Sequence, residues 1–421
     1  MTRKITFGII IVALILLAGT FVAYFTAKNG VPYKTLTTGF KKDEIDPQMY
    51  GEKFPVEYKY YLKNKEMALA PSKYGGSVKR DHLKEFPYMK TLWAGFAFSK
   101  EYTEDRGHVY ALEDVKETKR ISEKTALACM TCKSSQVPVY MDKWGVDNFY
   151  KARFREKQNL FTIPIGCYDC HDAKTMKLRI TRPALKDALK RIGRDPEKFT
   201  EKELRNYICA QCHVTYYIDR ETNRVIFPWD GGVDPEDMFR HYEKRNFYEW
   251  IHPLSGTKML KSRHPEFEMF SGSVHSAVGL TCVDCHMPYV YEGGKKYTSH
   301  WWTSPLRTLE QSCRKCHREE EAKLKERVFY IQDRTYDLLN RAGKANEEAI
   351  RAINEAVYSP GSDKALIEKA RKLHREAQWY WDYVSSENSM GFHNPEKALT
   401  TLGKSIDLAL RAKATALQAK K

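Results

Sequence analysis

Polar and apolar positions divide the chain into three stretches of different texture. Residues 5–25, "ITFGIIIVALILLAGTFVAYF", carry no charge, and at about 1.5 Å rise per residue these 21 residues would span roughly 30 Å as a helix, one hydrocarbon core. The positive charges of "MTRK" ahead of them set the N-terminus inside the cell and the rest of the chain outside. A cleaved signal peptide is the alternative. Its apolar run is usually about 7 to 15 residues, however, and a cut after "AGT" would leave "FVAYF" exposed. From about residue 40 to 317 no 3.6-residue period lasts, so short helices and loops are expected. After Cys316 the helical period takes over. "EEEAKLKERVFYIQDRTYDLLNRAGKANEEAIRAINEAVY" reads as one long amphipathic helix ended by "SPGSD" after Tyr358; a second runs from about Asp363, and a third from about Glu396 to the C-terminus. The expected fold is mainly α: an anchor or signal segment over 1–30, then one domain made of a region with irregular loops (31–317) and a long-helix region (318–421).

Composition changes this picture in two ways. With 29% charged residues and a mean hydropathy of −0.61, the part beyond the first segment is globular, not a multispan membrane protein. The formal charge of +16 describes a solvated basic surface able to draw in a small anion, and no nucleic-acid partner is expected.

The chemistry lies in the ten cysteines, which form five CxxC pairs and leave no thiol over: Cys129/Cys132, Cys167/Cys170, Cys209/Cys212, Cys282/Cys285 and Cys313/Cys316. Zinc sites, redox dithiols and c-type haem attachment all use this spacing, and the next residue separates them. Four pairs are followed by His (His171, His213, His286, His317), which marks covalent haem attachment. The first, "CMTCK", ends in Lys133. A haem iron has two axial positions, so each CxxCH haem that only carries electrons needs a second His. Nine histidines remain, and His108, His275, His300 and His393 stand out because Gly, Ser or Pro loops flank them; His82, His241, His252 and His374 lie among charged or aromatic neighbours, as ordinary surface or packed histidines do. Lys133 must lose its proton to bind iron, a cost that makes sense where the opposite face of the metal is kept open for substrate. The uneven spacing of 38, 42, 73 and 31 residues between first cysteines argues against a tandem repeat.

One CxxCK followed by four CxxCH, with "LWAGFAFSKEY", "RGHVYALEDVKETKR", "CAQCHVTYY", "FPWDGG", "MLKSRHPEFE" and "TCVDCHMP", resembles the ammonia-forming cytochrome c nitrite reductases over nearly the whole extracytoplasmic part. The resemblance implies five haems c and reduction of nitrite, and of hydroxylamine, to ammonium at the Lys133 haem. It also implies catalytic Arg120, Tyr216 and His264, and axial pairs His108/His213, His300/His171, His393/His286 and His275/His317. Further implications are a membrane-bound quinol-oxidising cytochrome as donor and a homodimer built on the C-terminal helices. A pentahaem relay without substrate remains the competing reading, separated by whether nitrite, cyanide or CO changes the spectrum of one haem.

The chain departs from the pattern at one place. Many members hold calcium beside the active site with a Glu before the catalytic Tyr, a Gln before the catalytic His, and the carbonyls of that Tyr and a nearby Lys. Here Tyr216 and Lys261 remain, but the side-chain donors are replaced by Thr215 and Arg263. A guanidinium cannot ligate calcium and adds positive charge, so calcium is expected to be absent, with Arg263 in its place. The alternative is that Thr215 and Arg263 form a surface loop and the metal shifts nearby.

Overall fold

The computed structural model describes residues 19–20, 36–69, 71–103 and 106–420. The apolar segment 5–25 lies outside these apart from Gly19 and Thr20, and among the described residues no helix is long and apolar enough to cross a membrane.

Up to residue 317 the helices are short, as the missing period implies. Those that frame the site are α1 (Met89–Leu92), α2 (Ala111–Glu117), α3 (Glu201–Ala210) and α4 (Glu266–Phe270). Helix α3 starts with a capping box: Thr200 Oγ1 accepts the Glu203 amide and the Glu203 carboxylate accepts the Thr200 amide. Its last turn delivers Cys209. Two antiparallel hairpins follow, β1 (Tyr217–Ile218) with β2 (Val225–Ile226), and β3 (Trp250–Ile251) with β4 (Lys258–Met259), the latter in register Trp250↔Met259. A third joins β5 (Tyr289–Glu292) to β6 (Lys295–Thr298).

The C-terminal region is three long helices, α5 (Glu321–Tyr358), α6 (Lys364–Ser385) and α7 (Pro395–Gln418). Asp363 caps α6 by accepting the Ala365 and Leu366 amides, and α7 begins with Pro395 behind the cap Asn394. Gly361, at φ 72°, supplies the left-handed turn between α5 and α6. Rows of buried alanines (Ala342, Ala349, Ala356 on α5; Ala409, Ala412, Ala416 on α7) let the helices approach closely. A buried polar chain then fixes their register: Asn346 on α5 donates to Ser405 on α7, whose hydroxyl donates to the Ala377 carbonyl on α6.

The 31–317 region, despite its irregular loops, has a side-chain core shared with the long helices. One continuous buried cluster runs from Leu83 to Leu402 and includes Trp93, Phe149, Phe161, Trp229, Tyr242, Trp379, Trp381 and Tyr383. Aromatic residues, 13% of the sequence, bury enough area each to build it. Helix α1 lies on α5 so closely that a Cβ at Gly343 would overlap the Tyr88 ring.

Candidate haem-binding and active site

The structure brings the eight candidate axial histidines together in four pairs. Ring centroids are 5.7 Å apart for His108 and His213, 6.1 Å for His171 and His300, 6.3 Å for His275 and His317, and 6.1 Å for His286 and His393. Two metal–nitrogen bonds of about 2.0 Å plus two ring radii come to roughly 6 Å, so each gap accommodates one iron. The other ring edge is held by the protein. Nδ1 of His171 donates to the Met176 carbonyl (2.7 Å), Nδ1 of His286 to Thr303 (3.0 Å) and Nδ1 of His300 to Thr298 (2.9 Å), while His213 and His393 face the carboxylates of Glu266 and Glu387. A histidine bonded at Nδ1 presents Nε2 to a metal. None of the ten cysteines is tied up in a disulfide; nine are half-buried and Cys316 is exposed. The residues therefore fit haem c. The other four histidines behave as packing residues: His241, His252 and His374 are buried and bonded within the protein, and His82 stacks against Phe86 and Tyr102.

At the "CMTCK" turn a different group assembles. Cys129 lies within electrostatic reach of Arg263, Arg120 and Lys133, and Tyr216 within reach of Arg263, Cys132, Cys129 and Lys133. Arg120 follows the end of α2 and folds back so that its Nε donates to Thr118 Oγ1 (3.1 Å) while the guanidinium lies 4.5 Å over the Phe98 ring. Burial pushes the Tyr216 phenol up to about 12, against the opposing pull of Arg263, so it is a hydrogen-bond donor across the physiological range. His264 has φ 48°, the left-handed region that a non-glycine residue occupies only under constraint, and its carbonyl accepts the Glu266 amide at the start of α4.

The constraint on His264 comes from the segment before it. Lys261 Nζ, fully buried, pairs with Asp382 Oδ1 of α6 at 2.7 Å, and Asp382 Oδ2 accepts the Ser262 amide at 2.7 Å. Burial drives the Lys261 amine down to about 8 although Asp382 pulls the other way. Phe98 links the two sides of the site, since Lys261 Nζ lies 5.0 Å from the ring that Arg120 covers.

Arg263 does not form a surface loop; only 10% of its side chain is exposed. Its Nη1 donates to the Tyr216 carbonyl (3.0 Å), to the Lys261 carbonyl (3.3 Å) and to Glu249 Oε1 (2.6 Å), and its amide donates to Thr215 Oγ1 (3.1 Å). Burial opposes its charge, but Glu249 more than compensates and the guanidinium stays firmly protonated. Thr215, fully buried, donates its own amide to Glu268 Oε1 at 2.9 Å. Glu249, Glu268 and Asp382 carry no local motif; the one available signal is that Asp382 interrupts an otherwise aromatic turn, "WYWDYV".

Cysteine pairs beside histidines that face each other across an iron-sized gap, on a mainly α frame, define a multihaem c-type cytochrome. Comparison with known proteins narrows the class. The model of the cytochrome c552 family matches residues 46–421. Cytochrome c nitrite reductase subunit NrfA of Nitratidesulfovibrio vulgaris is 40% identical over 90% of this chain and 80% of its own length. A cytochrome c-552 of Porphyromonas gingivalis is 37% identical over 89% and 77%. The solved catalytic subunit of cytochrome c nitrite reductase from Desulfovibrio desulfuricans, described for its two calcium sites, superposes with a TM-score of 0.87 at 37% identity, covering 91% of this chain and 88% of that one. The chain belongs to the cytochrome c552 family and is an oxidoreductase of the cytochrome c nitrite reductase kind.

Proposed function

We propose that this protein reduces nitrite to ammonium, with six electrons and eight protons per turnover and two waters released, at a haem c ligated by Lys133 and fed by four bis-His haems. The observation that carries the reading is the asymmetry of the five motifs. Four CxxCH histidines each face a partner ring at 5.7 to 6.3 Å, whereas the CxxCK turn is surrounded by Arg120, Tyr216 and Arg263. Attached through Cys129 and Cys132, the haem would supply the iron that binds nitrite and the entry for electrons.

The chain's own residues supply everything else. Arg120, anchored through Nε on Thr118, holds the anion and hydrogen-bonds oxygen as it departs. His264 is the imidazole placed to give a proton and regain it. Tyr216 keeps its proton to about pH 12 and donates a hydrogen bond, a proton or a hydrogen atom. Hydroxylamine, less oxidised than nitrite, fits the same donors.

Calcium does not fit the residues around Tyr216 and Lys261. Arg263 bonds the two backbone carbonyls that the resemblance assigns to the metal, and Glu249 balances its charge. The guanidinium thus takes over the metal's task of orienting these carbonyls and placing a positive charge beside His264. We read the protein as extracytoplasmic on the periplasmic side, anchored by residues 5–25, homodimeric through α5 and α7, and reduced by a membrane-bound quinol-oxidising cytochrome.

The test is ammonium yield per nitrite by the holoprotein beside a Lys133→His variant. One ammonium per nitrite, with turnover lost in the variant while the four bis-His spectra persist, is the expected result. A holoprotein in which nitrite, cyanide and CO leave every haem spectrum unchanged is an electron relay instead.

A further inference from the structure

Two adjacent residues that belong to no motif, Thr181 and Arg182, connect three of the five haem-attachment turns. Arg182 is 1% exposed. Its Nε donates to the Thr131 carbonyl (2.8 Å) and its Nη2 to the Ser134 carbonyl (3.1 Å), one on each side of Cys132 and Lys133. The same Nη2 pairs with Asp169 Oδ1 at 2.5 Å, and Asp169 is a middle residue of "CYDC". Asp169 is anchored in turn, its Oδ2 accepting Ser135 Oγ and the Gly166 amide. The third turn enters through Gln211, a middle residue of "CAQC". Gln211 Oε1 accepts the amides of Thr181 (2.5 Å) and Arg182 (3.0 Å) and the Thr181 hydroxyl, and its Nε2 donates to the Asp169 carbonyl (3.2 Å). Arg182 Nη1 closes the network on Thr181 Oγ1 (2.7 Å).

Burying an ion pair is weak evidence for stability, because desolvation consumes most of the Coulomb gain. What an arginine does here that an apolar residue cannot is present a rigid fork of donors to carbonyls in different loops while keeping its charge. That charge lies close to the thiols of Cys132 and Cys212. A fixed buried cation favours the reduced, less positive state of an iron nearby, and net charge is one of the levers by which a protein sets a haem potential.

We infer that Arg182 is a positioning residue for the Lys133 centre: it clamps the backbone on both sides of Lys133 to the next two haem-attachment turns, and its buried charge raises the potential of the haem held there. The inference rests on the reading of Lys133 as that haem's ligand. Neither Asp169 nor Gln211 is required for covalent attachment, since the middle positions of a CxxCH turn are free; their side chains instead report on whether neighbouring turns are docked.

The experiment is a spectroelectrochemical titration of wild-type, Arg182→Gln and Arg182→Lys holoproteins, with cyanide marking the Lys133 haem, and EPR of the same samples. In R182Q the cyanide-sensitive haem is expected at a lower potential than in wild type. The His108/His213 and His171/His300 haems, whose attachment turns Arg182 also reaches, should shift less in the same direction, and the other two not at all. In R182K, which keeps the charge but cannot reach both carbonyls, the potential stays near wild type while the EPR signal of the Lys133 haem broadens. A cyanide-sensitive haem at wild-type potential in R182Q, or an equal shift of all five haems, overturns the inference. If R182Q is recovered without its full haem complement, R182K decides, and an EPR signal identical to wild type overturns it. A wild-type protein with no cyanide-sensitive haem defeats the underlying reading of Lys133, a result separate from either of these.

Discussion

At the scale of single residues, the site depends on buried charges whose partners are far away in sequence. Arg263→Gln restores the side chain that calcium-holding relatives are expected to use, but it strands Glu249, 11% exposed, without its cation. Breaking such a pair costs about 3 kcal/mol, so the thermal midpoint should fall. Release of the Tyr216 and Lys261 carbonyls should lower ammonium formation by about 10- to 100-fold. Adding Thr215→Glu should make the double variant's activity rise with added calcium. Assays with and without the metal check this; wild-type rates in the single variant would refute the role given to Arg263. Glu268 gives a prediction of pH dependence. Burial pushes its carboxyl up to about 8, while Trp229 and the Thr215 amide pull it down. The unfolded chain ionises the same group near about 4.3, so between these values the folded state holds a proton that the unfolded state has lost. Stability therefore falls as pH rises from about 4 to 8, by up to about 1.4 kcal/mol per pH unit from this group, and is level above. Glu268→Gln keeps the acceptor for both N–H donors and should remove this component, which melts at pH 5 and pH 8 would reveal.

At the scale of elements, α6 reaches from the helical bundle into the site. Asp382 holds Lys261 and Ser262, Gln378 donates to the Leu92 carbonyl at the end of α1, and Arg375 binds the carbonyls of Lys258 and Phe247 around the β3/β4 hairpin. That hairpin sets Glu249 beside the 261–264 segment, since the Glu249 amide donates to the Met259 carbonyl. Asp382→Ala would leave Lys261 buried without a counter-charge and the Ser262 amide without an acceptor. The expected outcome is a loss of about 3 kcal/mol in stability together with reduced turnover, because the left-handed His264 loses its support. Asp382→Asn retains an acceptor for Ser262 and should lose less on both counts, a ranking that melts and steady-state kinetics would check. The long helices themselves were legible, because a 3.6-residue period and its caps are local signals. The strap from α6 was not. Its partners lie 120 and 121 residues away, and a charged residue in a helix ordinarily reads as solvent-facing. The same reason hides Arg182, whose bonds reach 48 and 51 residues back along the chain.

At the scale of the molecule, the cysteine pairs fall in a spatial order, which under the proposed function is the order of electron flow. The Cys132 and Cys212 side chains lie close together, as do those of Cys209 and Cys282. Cys170 lies within electrostatic range of Cys209 and Cys212, and Cys285 within range of Cys313 and Cys316. The "CAQCH" turn is thus a junction: it meets the Lys133 turn on one side, "CYDCH" and "CVDCH" on others, with "CRKCH" beyond "CVDCH". The motifs could be read directly because each is five residues long. Their spatial order could not, since it follows from how α3, the Thr181/Arg182 pair and the bundle fold the loops together. The order predicts unequal effects for equal chemistry. His108→Met and His275→Met each replace one candidate axial ligand by a thioether, which raises the potential of that haem without touching its covalent bonds. At the junction a raised potential makes a trap directly before the Lys133 site, so His108→Met should slow its reduction strongly in stopped-flow experiments. At the far end the same change only adds a distant sink, and His275→Met should leave the rate near wild type. Equal slowing by the two variants would mean that electrons do not reach Lys133 through the "CAQCH" haem.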